Sequence, residues 1–286
     1  SIKHYGKLIH PQTSLTNEKI KKEVTGVIKQ NSNYYCVQCE STNPKHFYQY
    51  ASSVHSKKIV YCRNCISLGR MDNVTRYKIT ESSQSSSQAY YHLSFELSEQ
   101  QSYASEHIVR AIRKRQTILL YAVTGAGKTE MMFQGIQYAR IQGDNIAIVS
   151  PRVDVVVEIS KRIKDAFLNE DIDILHQQSR QQFEGHFVVC TVHQLYRFKQ
   201  HFDTIFIDEV DAFPLSMDKN LQQALKSSSK VEHATIYMTA TPPKQLLSEI
   251  PHENIIKLPA RFHKKSLPVP KYRYFKLNNK KIQKML

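Results

Sequence analysis

Three groups of residues in this chain are suited to chemistry: a lysine–threonine pair closing a glycine-containing turn, two carboxylates ending an apolar run, and two Cys-x-x-Cys pairs. The turn reads Ala122-Val123-Thr124-Gly125-Ala126-Gly127-Lys128-Thr129. It follows the apolar run Thr117-Ile118-Leu119-Leu120-Tyr121 and opens a stretch of helical pattern to about Gln142, the setting that a phosphate-binding loop requires. Gly125 and Gly127 let the backbone fold tightly enough for its N–H groups to face phosphate oxygens. The helix N-terminus adds positive potential. Lys128 then supplies a point charge to the β- and γ-phosphates, and the Thr129 hydroxyl is a ligand for Mg²⁺. A chance glycine-rich turn is the competing reading, and the flanking strand and helix patterns argue against it.

About 80 residues later Thr204-Ile205-Phe206-Ile207 runs into Asp208-Glu209-Val210-Asp211. Asp208 is expected to hold Mg²⁺ through water, and Glu209 to orient and deprotonate the attacking water. An acidic helix N-cap is the plainer explanation, and Asp211 would suit one. Thr239-Ala240-Thr241-Pro242 follows another apolar run. The Thr239 and Thr241 hydroxyls could link a nucleotide site to the neighbouring surface, although alone the segment signals only a strand-to-turn transition.

Cys36-x-x-Cys39 and Cys62-x-x-Cys65 are separated by 22 residues, a spacing that predicts a tetrahedral Zn²⁺ site. The βαβ context of a redox Cys-x-x-Cys motif is missing here. The metal would supply folding energy that a small front cannot gather from its own apolar residues. His46 and His55 lie between the pairs and are expected at the surface. Cys190 ends an apolar run and is expected in the core.

Around these residues the elements alternate. Helical patterns run over Ser102 to Arg115 and Val153 to Phe167. Short apolar strands are expected at 117–121, 145–149, 172–175, 186–190, 204–207 and 234–238. Such alternation implies a parallel α/β sheet covered on both faces, with ligands at the carboxyl ends of its strands. Before it, the charged stretch Asn17 to Gln30 is expected to be helical. Lys58-Ile59-Val60-Tyr61 reads as a small strand, and the serine-dense Glu81 to Gln88 as a loop or linker. The expected organisation is a basic front with the four-cysteine zinc module over 1–95, an ATP-binding lobe over 96–262 and a basic connector over 263–286.

The chain has 286 residues, 41% hydrophobic and 23% charged, which excludes a wholly disordered chain. Its longest apolar run, Ile118 to Val123, is six residues, against roughly 20 for a membrane span. Ser1-Ile2-Lys3-His4-Tyr5 has no apolar signal core, so a cytoplasmic location is expected. Residues 1–95 hold 13 basic and 5 acidic residues (+8), residues 96–262 hold 19 and 20 (−1), and residues 263–286 hold 8 and none (+8). Cationic flanks on a neutral middle suit a polyanion, nucleic acid first. A merely basic soluble surface, or an anionic membrane face, has the same charge pattern.

The ordered set of motifs resembles the superfamily 2 helicases and translocases, the group that includes DEAD-box proteins; Asp208 to Asp211 reads DEVD here. The resemblance covers about residues 97–260 and implies one RecA-like lobe. Within it Leu97-Ser98-Glu99-Gln100-Gln101 looks like the segment whose glutamine, Gln101 here, reads adenine. Ser150-Pro151-Arg152 and Cys190-Thr191-Val192-His193-Gln194-Leu195 look like segments that touch nucleic-acid backbone, which makes Arg152, Thr191 and Gln194 the candidate DNA contacts. The four-cysteine front, Leu258-Pro259-Ala260-Arg261-Phe262 and Leu267-Pro268-Val269-Pro270 resemble the late competence ATPases of Gram-positive bacteria, with primosomal helicases as more distant relatives. That resemblance implies an ATP-driven motor importing single-stranded DNA during transformation. It also implies partners among competence or membrane DNA-channel proteins, and a peripheral position at the inner membrane face as an alternative location. An RNA or replication-restart helicase, and a non-catalytic zinc-ribbon module with a degenerate ATPase, are the rival readings. Such motors carry a second RecA-like lobe that supplies arginines to the ATP site. It is expected to be missing here, with weak hydrolysis as the consequence. In the front, Lys57, Lys58 and Arg63 are expected to hold DNA, with Tyr34, Tyr35 and Tyr61 either stacking on bases or packing the small core.

Overall fold

The apolar runs that lack alternation become strands buried on both faces, as a parallel sheet demands. The computed structural model describes residues 1–121, 127–177, 179–208 and 215–258, with side chains left aside at 215–218. The front comprises β1 (Leu8–Ile9), β2 (Ile20–Thr25), β3 (Val27–Gln30), β4 (Asn33–Cys36), β5 (Phe47–Tyr50), β6 (Ile59–Cys62) and β7 (Arg76–Thr80). Strands β1, β7 and β2 form an antiparallel sheet in that order, while β3–β4 and β5–β6 are two-stranded ribbons.

The lobe follows as α1 (Glu99–Lys114), β8 (Thr117–Tyr121), α2 (Phe133–Gln142), β9 (Ile146–Ser150), α3 (Val153–Ala166), β10 (Asp173–Leu175), β11 (Phe187–Thr191), β12 (Phe202–Asp208), α4 (Leu215–Ser228), β13 (Ser229–Thr239), α5 (Lys244–Glu249) and β14 (Ile255–Lys257). Seven strands make one parallel sheet in the order β10-β11-β9-β12-β13-β8-β14. The α/β class expected from the sequence is the class observed. Among the described residues no helix is long and apolar enough to cross a membrane.

Alternate residues of each strand serve opposite faces. Ile118, Leu120, Ile148, Phe206 and Ile236 join Ile108, Ile112, Ile136, Val156 and Ile163 of α1, α2 and α3 in one core. Leu119, Val149, Cys190, Ile207 and Tyr237 face the other way, toward Leu221 and Leu225 of α4 and toward Leu195, Tyr196 and Phe198. That second core continues without a break into Leu8, Val27, Met71, Tyr77, Ile79 and all four paired cysteines. The front is thus part of the layer that covers the sheet.

Three expectations need correction. Asn17 to Gln30 is not helical; it contains β2 and β3. Lys21, Lys22 and Glu23 are exposed, and β2 takes its hydrogen bonds from β7 rather than from itself. Charged side chains of this kind are what an edge strand presents to water. Residues 128–142 are not one helix from Lys128. Glu130–Met132 is a 3₁₀ turn, and α2 begins at Phe133. The serine-dense stretch has no regular structure but is not a free linker. Ser85 O accepts from Arg140 Nη2 at 2.8 Å, Ser87 Oγ donates to Glu170 at 2.7 Å, and Gln84 Nε2 donates to Asp203 at 3.2 Å. Ser82 Oγ donates to Nδ1 of the buried His201 at 2.8 Å, and His201 Nε2–H donates to Gly185 O at 2.7 Å. Burial pushes the His201 imidazole down to about 3, so it is neutral and both ring nitrogens are used. Gly6, at φ +57°, lies on the same ring: a Cβ there would fall 2.5 Å from His201 Nδ1. The strand β14, beyond the last apolar run recognised in the sequence, pairs with β8 at the sheet edge.

Candidate nucleotide and metal sites

The sheet order decides what can meet. Strand β13 lies between β8 and β12, with Met238 opposite Asp208 on one side and Leu120 on the other. The carboxyl end of β8 leads toward the phosphate-loop segment, the end of β12 carries Asp208, and Thr239 lies between them, opposite Tyr121. Residues 122–126 and Glu209, with Asp211, lie outside the described residues, as do residues 259–286. Of the phosphate-loop residues this leaves Gly127, Lys128 and Thr129.

Lys128 Nζ and Asp208 Oδ1 are 2.5 Å apart, with side chains 14% and 9% exposed. An ion pair this dry pins the turn after β8 to the end of β12. Gly127 is at φ +99°, a region that side chains rarely adopt, and the Gln101 amide occupies the space a Cβ would need. Gln101 is placed there by α1: its Oε1 accepts from Ser98 N at 2.9 Å, and Ser98 Oγ accepts from Gln101 N at 3.2 Å. Thr129 is buried and its hydroxyl does not cap the turn that follows. At the end of neighbouring β9, Ser150 Oγ is buried without a hydrogen-bond partner among the described residues, as is Glu130 Oε2 next to Thr129. Hydroxyl and carboxylate oxygens with unspent hydrogen-bonding capacity are the donor set that a hydrated Mg²⁺ prefers. One edge of the sheet therefore gathers Gln101, Gly127, Lys128, Thr129, Asp208 and Thr239.

The backbone-contact candidates divide. Thr191 pairs with Ser150 in register, and Arg152 follows Ser150 by two residues, at the N-cap of α3. Arg152 is exposed and ion-paired to Asp154 at 2.6 Å. Gln194 points inward instead, buried, with its Oε1 accepting from Arg197 Nε at 2.7 Å. Thr241 is exposed, and its N–H donates to Thr239 Oγ1 at 3.2 Å.

The four paired cysteines are brought together from the ends of β4 and β6 and the turns after them. Their sulfurs lie within 4.8 Å of one another, with Cys36–Cys65 at 3.6 Å, Cys39–Cys62 at 3.7 Å and Cys62–Cys65 at 4.0 Å. A tetrahedron of sulfurs bonded to Zn²⁺ has edges of about 3.8 Å, so these four fit that ion, and the separations are far too long for a disulfide. Tyr34 and Tyr35 are half-buried and pack against the front's core, while Cys190 is fully buried in the lobe. Two residues that attach this cluster to the lobe have no signal in the sequence. Lys199 Nζ donates to Gln38 O, between Cys36 and Cys39, at 2.7 Å, and to Ser227 Oγ at 2.9 Å. Arg197 Nη1 donates to Leu68 O, three residues after Cys65, at 3.3 Å. Burial pushes both side chains below their ordinary pKa. A lone Arg and a lone Lys between apolar residues read as surface charges until the fold places them.

Fold and site together define a parallel α/β lobe of the helicase type with a cysteine-bearing front. Residues 94–244 match the family model described as type III restriction enzyme, res subunit, and residues 7–78 match that of the competence protein ComFA N-terminal domain. The first match spans more than half of the chain, which belongs to that family. The chain is 36% identical over 294 residues to competence protein ComFA of Bacillus subtilis (strain 168), covering 96% of this chain and 63% of the relative. It is 31% identical over 275 residues to competence protein ComFA of Streptococcus pneumoniae (strain ATCC BAA-255 / R6), covering 95% and 62%. It thus spans a little over three-fifths of the length of these curated relatives. Among solved structures, the Sulfolobus solfataricus SWI2/SNF2 ATPase core in complex with dsDNA is similar at TM-score 0.45 and 18% identity, covering 53% of this chain and 33% of that one. A hypothetical ATP-dependent RNA helicase from Sulfolobus tokodaii is similar at TM-score 0.45 and 17% identity, covering 58% and 54%.

Proposed function

We propose that the chain is the nucleotide-binding lobe and zinc-bearing front of an ATP-driven motor that acts on single-stranded DNA during DNA uptake. The observation that carries this reading is the largely buried Lys128–Asp208 pair, which brings a phosphate-binding lysine and an acidic strand end to one place. The relatives' description as competence proteins supports the DNA-uptake role. In this reading residues 1–95 hold DNA, residues 96–262 bind ATP, and residues 263–286 form a basic connector.

When ATP arrives, Lys128 leaves Asp208 and turns to the β- and γ-phosphates. Thr129 and Asp208 would hold Mg²⁺, which when bound would supply neutralisation of charge on the phosphate oxygens. Gln101, held against Gly127, contacts the adenine, and Ala122 to Ala126 line the phosphates with their N–H groups. Glu209 orients the attacking water and takes its proton. Thr239, between the two motifs, passes the change to Thr241 at the surface, while Arg152 and Thr191 touch the strand backbone. Gln194 acts through Arg197 rather than by contact. Zn²⁺ on Cys36, Cys39, Cys62 and Cys65 is structural. Partners at a membrane DNA channel, and a cytoplasmic position at its inner face, belong to the same proposal.

The test is binding of a fluorescent ATP analogue with Mg²⁺, and its hydrolysis with single-stranded DNA, duplex DNA and RNA at equal phosphate concentration. Binding lost in Lys128→Ala, and turnover raised most by single-stranded DNA, is expected. Equal nucleotide binding by the wild type and Lys128→Ala would refute the motor reading, and preference for RNA or duplex would move the substrate to the rival helicases.

A further inference from the structure

The β5–β6 ribbon carries three tyrosines close together. Tyr48 and Tyr50 are two apart on β5, and Tyr48 is opposite Tyr61 of β6. The Tyr61 ring centroid is 5.6 Å from that of Tyr48 and 6.2 Å from that of Tyr50. Two arginines lie over these rings. The Arg63 guanidinium is 4.4 Å from the Tyr48 centroid, and that of Arg70 is 5.1 Å from Tyr61 and 5.6 Å from Tyr50. Arg70 is fixed in place by Asp72, at 3.1 Å, and by the Tyr50 hydroxyl, at 2.5 Å. Yet Tyr48 is 46% exposed and Tyr50 is 36% exposed. The neighbouring positions Val60 and Cys62 are buried in the core, so the ribbon already has its apolar contacts without Tyr48 and Tyr50.

Clustered rings, two of them exposed, with guanidinium groups beside them are of the kind on which unpaired bases stack, because every base offers a π-face and Arg adds cation–π attraction. The charge around them has the matching sign. Residues 41–71 contain Lys45, Lys57, Lys58, Arg63 and Arg70 and no Asp or Glu. We propose that this face is a base-stacking site for single-stranded DNA, with Tyr48, Tyr50 and Tyr61 taking successive bases and Lys57 and Lys58 meeting the phosphates. The inference rests on the reading of the protein as a DNA motor. It places the strand on Tyr48 and Tyr50, which the sequence patterns did not single out, instead of on the packed Tyr34 and Tyr35.

The experiment uses the zinc-loaded chain and a fluorescein-labelled thymidine 20-mer, followed by anisotropy at several salt concentrations. Tyr48→Ala/Tyr50→Ala should weaken binding about 5- to 150-fold per stacked base lost. Tyr48→Phe/Tyr50→Phe should bind nearly as the wild type does, since the rings remain. The slope of affinity against salt should be the same for all three, because the phosphate contacts are untouched. Unchanged zinc content and thermal midpoint certify the fold of each variant. An Ala variant within about twofold of a wild type that binds the oligonucleotide refutes the stacking site alone. A wild type that fails to bind it refutes the site and the DNA reading together.

Discussion

Removing one member of the Lys128–Asp208 pair tests the architecture of the nucleotide edge directly. At 2.5 Å the two charges attract by about 7 kcal/mol at an effective dielectric of about 20, before the cost of desolvating each is subtracted. Both side chains are largely buried, so either single substitution takes an opposite charge away from a low-dielectric site, at about 3 kcal/mol or more. For a chain of this size that is a fall of roughly 6–12 °C in thermal midpoint for Asp208→Asn or Lys128→Met. The double variant should lose less than the sum, by about 1–3 kcal/mol, since each single variant already forfeits the attraction between the two. Urea unfolding of all four proteins without nucleotide, followed by circular dichroism, gives this coupling. Adding MgATP at 100 times its Kd should stabilise the wild type by about 2.7 kcal/mol and Lys128→Met hardly at all. Single effects that add to within about 0.5 kcal/mol would show that the pair does not act as a unit, and the reasoning from its geometry would fail.

Zinc analysis should find one ion per chain, lost in Cys36→Ser. Because the four cysteines share a core with Leu195, Tyr196 and Phe198, chelation should also lower the unfolding midpoint of the lobe; a lobe that melts unchanged would contradict this. His201 should make the protein acid-sensitive. Its imidazole titrates near 3 when folded against about 6.5 when unfolded, so the unfolded chain takes up the proton first. Stability should be full above about pH 6.5 and fall toward pH 3 by up to about 1.4 kcal/mol per pH unit. Urea midpoints at several pH values, with a flatter profile for His201→Gln, check it. Gly127→Ala forces a side chain into a positive-φ position beside the Gln101 amide, a strain of about 1–3 kcal/mol that should weaken ATP-analogue binding. Adding Gln101→Ala should leave the backbone strain and relieve the contact, raising the melting temperature of Gly127→Ala.

The lobe was legible where local pattern and tertiary demand agree. Thr117–Tyr121 is a strand with the bounds its apolar run suggests, because a strand covered on both faces has no reason to alternate. The cysteine spacing anticipated the sulfur cluster, since each pair needs only a tight turn. Asn17 to Gln30 misled because its charges resemble a solvated helix, while the decisive contact, pairing with β7, is about fifty residues away. The inward turn of Gln194 was hidden for a similar reason: its partner Arg197 is one 3₁₀ turn on, in a segment whose orientation depends on the core it covers. The serine stretch has the composition of a tether, and nothing local reveals that Arg140, Asn145 and Asp203 wait for its polar groups.

His201 receives both ends of the front: Gly6 rests on its ring, and Ser82 donates to its Nδ1. The two ends are thus fastened by one imidazole, as a clasp closes a necklace. Lys199 and Arg197 add two more stitches beside the cysteines. A front secured in this way is held to the lobe as one piece, so a displacement of either would carry the other with it.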